Sequence, residues 1–95
     1  MELVWSETAE ENLDAIVSYI AHDNLQAALE MDDLLRSAAK GLTNFPKKGK
    51  PGRIPGTREL IAHPSYLLVY TLDDDSLHIV AVLHTSQQWP PETGL

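Results

Sequence analysis

Residues 53–70 read RIPGTRELIAHPSYLLVY, from Arg53 to Tyr70. Pro55-Gly56 is a strong turn signal, and Pro64 cannot donate a ladder hydrogen bond. The spacing predicts a strand from Thr57 to about Ala62, a break at His63-Pro64-Ser65, and a second strand from Tyr66 to Leu72. The product is a hairpin whose first strand places one cation, Arg58, directly after a tight turn. Tyr66 and Tyr70 are four positions apart, so they share a strand face, which favours a core role for both. The other segments are expected to cover this hairpin or to add strands to it.

Toward the C-terminus, Asp73-Asp74-Asp75 makes a turn. Leu77 to Leu83 alternates weakly, with Leu77, Ile79, Ala81 and Leu83 set against His78, Val80 and Val82, and reads as a strand buried on both faces. His84 to Pro91 leaves the sheet, and residues 86–95 form a tail. Trp89 lies there beside two prolines, as a clamp over the sheet or an anchor for a partner, and folding back is the favoured reading. Toward the N-terminus, Lys47 to Gly56 holds three lysines, three glycines, two prolines and an arginine, and is a loop by composition.

Residues 2–5 read as a short strand. A helix then starts at Ser6 or Thr8, where Thr8 and Glu11 match a capping box. Ala9, Leu13, Ile16, Val17 and Ile20 form its apolar face, and it ends near Ala21 or His22. Asp23 or Asn24 caps a second helix that stops by Thr43-Asn44. Its expected buried stripe is Leu25, Ala28, Leu29, Leu35, Ala38, Ala39 and Leu42, with Arg36 positioned to pair with Asp32. Two helices joined this tightly pack antiparallel. The order is strand, helical hairpin, three strands: an α+β two-layer domain with the helices on one face of a small, mostly antiparallel sheet. The other face is expected to be open, and apolar residues on it would mark a binding surface.

Ninety-five residues make one domain, 1–95. There is no cysteine, hence no disulfide framework and no thiolate zinc site. No apolar run approaches the ~18 residues of a membrane span, and the N-terminus is acidic, unlike a signal peptide. The reading is of a soluble intracellular protein. The net charge is −7, which does not suit general nucleic-acid binding. Residues 1–35 carry nine acids and no Lys or Arg, so the cations concentrate elsewhere. Lys47, Lys48, Lys50, Arg53 and Arg58 form a candidate positive patch. No His/Asp/Glu spacing forms a metal site, no glycine-rich loop cradles phosphate, and no cofactor is implied. His22 and His78 read as surface residues and His63 as a turn residue.

The sequence PGTREL, followed by HPSYLLVY, an acidic turn and VLHTSQQWP, resembles the RelE/ParE superfamily of small toxins, and is most similar to the ParE-like branch. The resemblance runs from Trp5 to Pro90. It implies the toxic half of a type II toxin–antitoxin pair: cytoplasmic, growth-inhibiting when free, involved in plasmid or chromosomal stability, and silenced by a cognate antitoxin laid across its sheet and helices. ParE-like members poison DNA gyrase; RelE-like members cut mRNA on the ribosome. RelE-like toxins place an arginine in the strand motif Y-R-L-V-Y, where this chain has Leu67. They carry cations after the last strand, where this chain has Thr85-Ser86-Gln87-Gln88. If the chain is a nuclease, Arg58, His84 and Tyr66 are the catalytic candidates, with His84 as acid or base. If it acts by binding, Lys47, Lys48, Lys50, Arg53, Arg58, Gln87, Gln88 and Trp89 are the contact candidates. A divergent, non-toxic binding protein is the third reading. The acidic helical pair predicts a partner segment with some lysine or arginine.

Overall fold

A computed structural model describes residues 1–91; the last four positions of the expected tail, 92–95, lie outside the described residues. The chain runs β1 (Glu2–Trp5), α1 (Glu7–Asp23), α2 (Leu25–Gly41), β2 (Lys50–Pro51), β3 (Arg58–His63), β4 (Tyr66–Leu72) and β5 (Ser76–His84). The sheet order is β1-β5-β4-β3-β2. β1 lies parallel to β5, and the other neighbours are antiparallel. The chain therefore begins and ends its sheet on adjacent strands, with the helical pair bridging β1 to the rest. Two helices on one face of a mixed sheet is the α+β arrangement expected from the residue pattern. Among the described residues, no helix is long and apolar enough to cross a membrane.

Ser6 caps α1, its hydroxyl accepting from the Ala9 N–H at 3.0 Å. The Thr8–Glu11 capping box is not formed, because Thr8 is already inside the helix. Asn24 ends α1 and caps α2, accepting from the Ala27 N–H at 3.0 Å. One residue serving both helices enforces the tight hairpin. Ala9 and Leu13 of α1, with Leu35, Ala39 and Leu42 of α2, pack on Leu68, Tyr70, Leu77, Ile79 and Val82 of the sheet. The α2 stripe differs from expectation at its start: Leu25 and Leu29 are 65% and 56% exposed. The buried residues Ala28, Leu35, Ala39 and Leu42 recur at steps of seven, four and three. Leu29 is one step, about 100°, off that line, which turns it outward.

Polar contacts tie the layers together. Asn12 of α1 accepts from the Val82 N–H at 3.1 Å. Arg36 of α2 reaches Glu10 at 3.0 Å and Asp32 at 3.2 Å, and its guanidinium lies 5.2 Å from the Trp5 ring centre. Glu10 first, then Asp32, holds the Arg36 pKa above its ordinary value.

Two sheet features depart from the sequence reading. The register passes from Val69↔Ala81 to Tyr70↔Ile79, so Val80 is an extra residue in β5. A bulge of this kind reverses the face presented by every following residue. Leu77, Ile79 and Val82 thus join the helix-side core, while Ala81 and Leu83 face the other way. The simple alternation expected over 77–83 does not hold. Ser6 anchors the bulge: its N–H donates to Ile79 O at 3.0 Å and its hydroxyl to Val80 O at 3.3 Å. Second, the basic loop contains a two-residue strand, β2, with Lys50 opposite Glu59 and Pro51 opposite Arg58.

Candidate functional site

The face of the sheet turned away from the helices is not the open surface expected. Leu67, Val69, Ala81 and Leu83 form a second apolar cluster, each at most 4% exposed, with Val80 and Trp89 packed against it. Trp89 folds back over the sheet. The register gives the cluster its shape. Ile61, Leu67 and Leu83 make one row across β3, β4 and β5, and Glu59, Val69 and Ala81 make the next. Ile61, at the β3 end of its row, is 61% exposed.

Glu59 is the buried charged member of this face among the described residues, with a side chain only 1% exposed. A buried carboxylate requires partners. Arg53 supplies two: its backbone N–H donates to Glu59 Oε2 at 2.9 Å, and its guanidinium stands 3.4 Å from Oε1. The same guanidinium donates to the Trp89 carbonyl at 3.4 Å. Arg53 therefore joins the basic loop, β3 and the C-terminal segment. Sequence reading missed Glu59. Period-two spacing places it on the face of Ile61, but nothing in the local pattern shows that Arg53 folds back six residues to cover it.

Arg58 belongs to the opposite face, on the row of Tyr70. Its Nη1 donates to the Gly49 carbonyl. The Tyr70 hydroxyl, fully buried, accepts from the Gly49 N–H at 3.0 Å and donates to the Pro46 carbonyl at 2.6 Å. Gly49 is required here, since an added Cβ would sit 2.7 Å from the Tyr70 hydroxyl. Arg58 is half-buried, not sealed inside, and lines a cavity of about 230 Å³ with Pro51, Gly56, Thr57 and Leu72. Lys47 and Lys48 are exposed in the turn after α2, beside an exposed Phe45. Lys50 is exposed on β2 opposite Glu59, so it shares the Arg53 face. Of the five cations expected as one patch, Arg58 lies on the Tyr70 face, Lys50 and Arg53 lie on the Glu59 face, and Lys47 and Lys48 stand in the turn after α2.

Tyr66 and His84 come together at the far corner. They pair across β4 and β5, with rings edge-on at 5.5 Å between centres, and His63 lies 5.9 Å from Tyr66 on its other side. His63 Nδ1 accepts from the Ser65 N–H at 3.0 Å, and His84 Nδ1 accepts from the Ser86 N–H at 3.1 Å. A neutral ring bonded in this way carries its proton on Nε2. Tyr66 and His84 line a cavity of about 450 Å³ with Ala15, Ile16 and Tyr19. Among the described residues, no lysine or arginine lines it. Arg58 stands four residues along β4 and two strands across from His84, roughly 16 Å by standard strand spacings. The three nuclease candidates therefore do not form one constellation. Gln87 closes a turn on His84, donating its N–H to the His84 carbonyl at 2.9 Å. Gln88 is exposed. His22 is exposed, and His78 pairs with Asp73 at 3.1 Å. Among the described residues, no group of three His, Asp or Glu side chains is placed to hold a metal ion.

Comparison with known proteins gives consistent matches. The family profile described as the ParE toxin of type II toxin–antitoxin system, parDE, matches residues 3–89. The protein Y4kP of Sinorhizobium fredii is 38% identical over 87 residues, covering 90% of each chain. Toxin RelE2 of Caulobacter vibrioides is 33% identical over 86 residues, covering 90% of this chain and 97% of that one. Among solved structures, one described as a chromosomal ParDE TA system from P. aeruginosa superposes with a TM-score of 0.79 at 22% identity, covering 88% of this chain and 95% of the other. The protein HP0894 of Helicobacter pylori superposes with a TM-score of 0.60 at 21% identity, covering 92% and 97%. At these identities the structural matches speak to the fold.

Proposed function

Because the chain belongs to the ParE toxin family of type II toxin–antitoxin systems, we propose that it arrests growth by binding a protein target, DNA gyrase, and that a cognate antitoxin silences it. The observation that carries this reading is Leu67. RelE-like nucleases, by the resemblance drawn above, place an arginine at this position. Here the side chain is 3% exposed at the centre of an apolar cluster.

Cleavage of RNA through its 2′-hydroxyl needs cations at the developing phosphorane charge and an acid or base close by. The acid–base candidates, Tyr66 and His84, line a cavity with no lysine or arginine among its described lining residues, and Arg58 and Arg53 are engaged elsewhere by Gly49 and Glu59. Losing a single preorganised charge-stabilising donor costs about 3–4 kcal/mol of transition-state stabilisation. An apolar strip flanked by one ion pair suits a protein surface better than a phosphodiester. The −7 net charge supports the same choice.

The test is expression of the toxin without its neighbouring antitoxin gene, with two readouts from one culture. Gyrase trapped covalently on DNA, with intact mRNA, is the expected result. Codon-specific mRNA cuts with free gyrase refute it, and a culture that grows normally returns the reading to a non-toxic binding protein. Co-expression of the neighbouring gene is expected to restore growth and to give a complex that co-purifies with the toxin.

A further inference from the structure

We infer that the C-terminal segment from Thr85 to Pro91 is a displaceable strap, which covers the apolar face of the sheet in the free protein and lifts when that face engages its target. The functional half of this inference rests on the target-binding reading above. The strap is built unevenly. Its root is well bonded: the Thr85 N–H donates to the Ser65 carbonyl at 2.8 Å and the Thr85 hydroxyl to the Pro64 carbonyl at 2.9 Å, fixing it to the β3–β4 turn. Ser86 and Gln87 bond back to His84.

The tip is held differently. Trp89 lies on the second apolar cluster, and its carbonyl accepts one long bond, 3.4 Å, from the half-exposed Arg53. Its indole Nε1 is buried with no hydrogen-bond partner among the described residues. A buried donor without an acceptor penalises the closed position, while water satisfies it once the ring lifts. Apolar contact thus seats the ring and one polar defect loosens it. A ring seated by apolar contact and one long carbonyl bond can lift locally without unfolding the rest of the molecule.

Lifting Trp89 joins two surfaces that are now separate. Ile61 is already exposed, and its row continues through Leu67 to Leu83 beneath the strap. The bared strip crosses three strands and is bordered by the Arg53–Glu59 pair, an apolar centre with a charged rim. The matching surface on the target is an apolar segment, with an acceptor able to reach Arg53 after the Trp89 carbonyl has left.

The experiment uses the full chain. Trp5 and Trp89 are the two tryptophans, so Trp5→Phe leaves Trp89 as the sole reporter. In that background Arg53→Gln removes the clip and retains an amide that can still donate to Glu59. The expected result is a red shift of Trp89 emission and severalfold easier acrylamide quenching, with hydrogen exchange of the β4 and β5 amides unchanged. Trp89 that stays blue-shifted and protected, or β4 and β5 that lose protection together with it, overturns the strap. This arm involves no target, so it stands or falls apart from the gyrase reading. In cells, Trp89→Ala, which uncovers the strip and leaves Arg53 in place, is expected to arrest growth at a lower induction level than the unmodified toxin. If it loses toxicity while staying folded, the segment is itself a target contact and the cover is refuted.

Discussion

Tyr70→Phe removes one oxygen atom from the best-buried aromatic side chain and leaves the volume of the core unchanged. That oxygen makes two bonds, to the Gly49 N–H at 3.0 Å and to the Pro46 carbonyl at 2.6 Å. Gly49 is buried, so its N–H would be stranded at a cost of about 1–3 kcal/mol. Pro46 is only partly covered and water can reach its carbonyl, so that loss is smaller, about 0.5–1.5 kcal/mol. The sum, roughly 1.5–4.5 kcal/mol, is a large share of the ~5–15 kcal/mol that holds a domain of this size. At about 4–8 °C per kcal/mol for a small domain, the melting temperature should fall by at least about 6 °C. Urea denaturation monitored by circular dichroism measures the change directly, and an unchanged m-value would place the loss in the folded state. A shift below about 0.5 kcal/mol would show that the hydroxyl does not organise the basic loop. Because Arg58 bonds to the carbonyl of the same Gly49, the variant should also free the Arg58 side chain. Its guanidinium NMR signals should then sharpen relative to the parent.

Asn12→Ala strands the Val82 N–H across the helix–sheet interface; a loss of about 1–2 kcal/mol in urea is expected, with hydrogen exchange accelerating at Val82. Arg36→Gln breaks partly exposed ion pairs to Glu10 and Asp32. Its effect should be at most about 1 kcal/mol and should shrink in 1 M salt. Asp73 accepts from the backbone N–H groups of Asp75 and Ser76 and pairs with His78, which lowers its pKa below the ordinary carboxylate range in that order of cause. A carboxylate depressed by folding contributes stability that is present above its unfolded pKa and is lost as pH falls through the folded one. Asp73→Asn should therefore lower stability at neutral pH and converge with the parent in strong acid; curves that stay parallel down to low pH would contradict the assignment.

The hairpin was readable because its punctuation is strong: Pro55-Gly56 and Pro64 bracket β3, and the apolar run from Tyr66 to Leu72 follows at once. The helical pair was readable from its spacing, but its caps were only narrowed to Ser6 or Thr8 and to Asp23 or Asn24, and the Thr8–Glu11 box pointed two residues too late. The bulge at Val80 was not. Ile79 to Leu83 is apolar at every position, so the sequence has no period there that an extra residue could break. Only the bonds from Ser6 to Ile79 and Val80 fix which side chain is surplus. β2 escaped notice because two residues, one of them proline, carry no strand pattern. The candidate site was half readable. Leu67 stood out as an apolar residue in a place where a cation was expected, and Trp89, read as a clamp over the sheet or a partner anchor with folding back favoured, packs on the sheet. Glu59 and Arg53 had to be folded together before either made sense, since one is a buried charge and the other its cover.

Purified toxin, offered gyrase with supercoiled DNA in one tube and programmed ribosomes with mRNA in another, tests the account most directly. Gyrase held on cleaved DNA beside uncut message is the predicted result. Message cut at defined codons, with gyrase turning over freely, would contradict it.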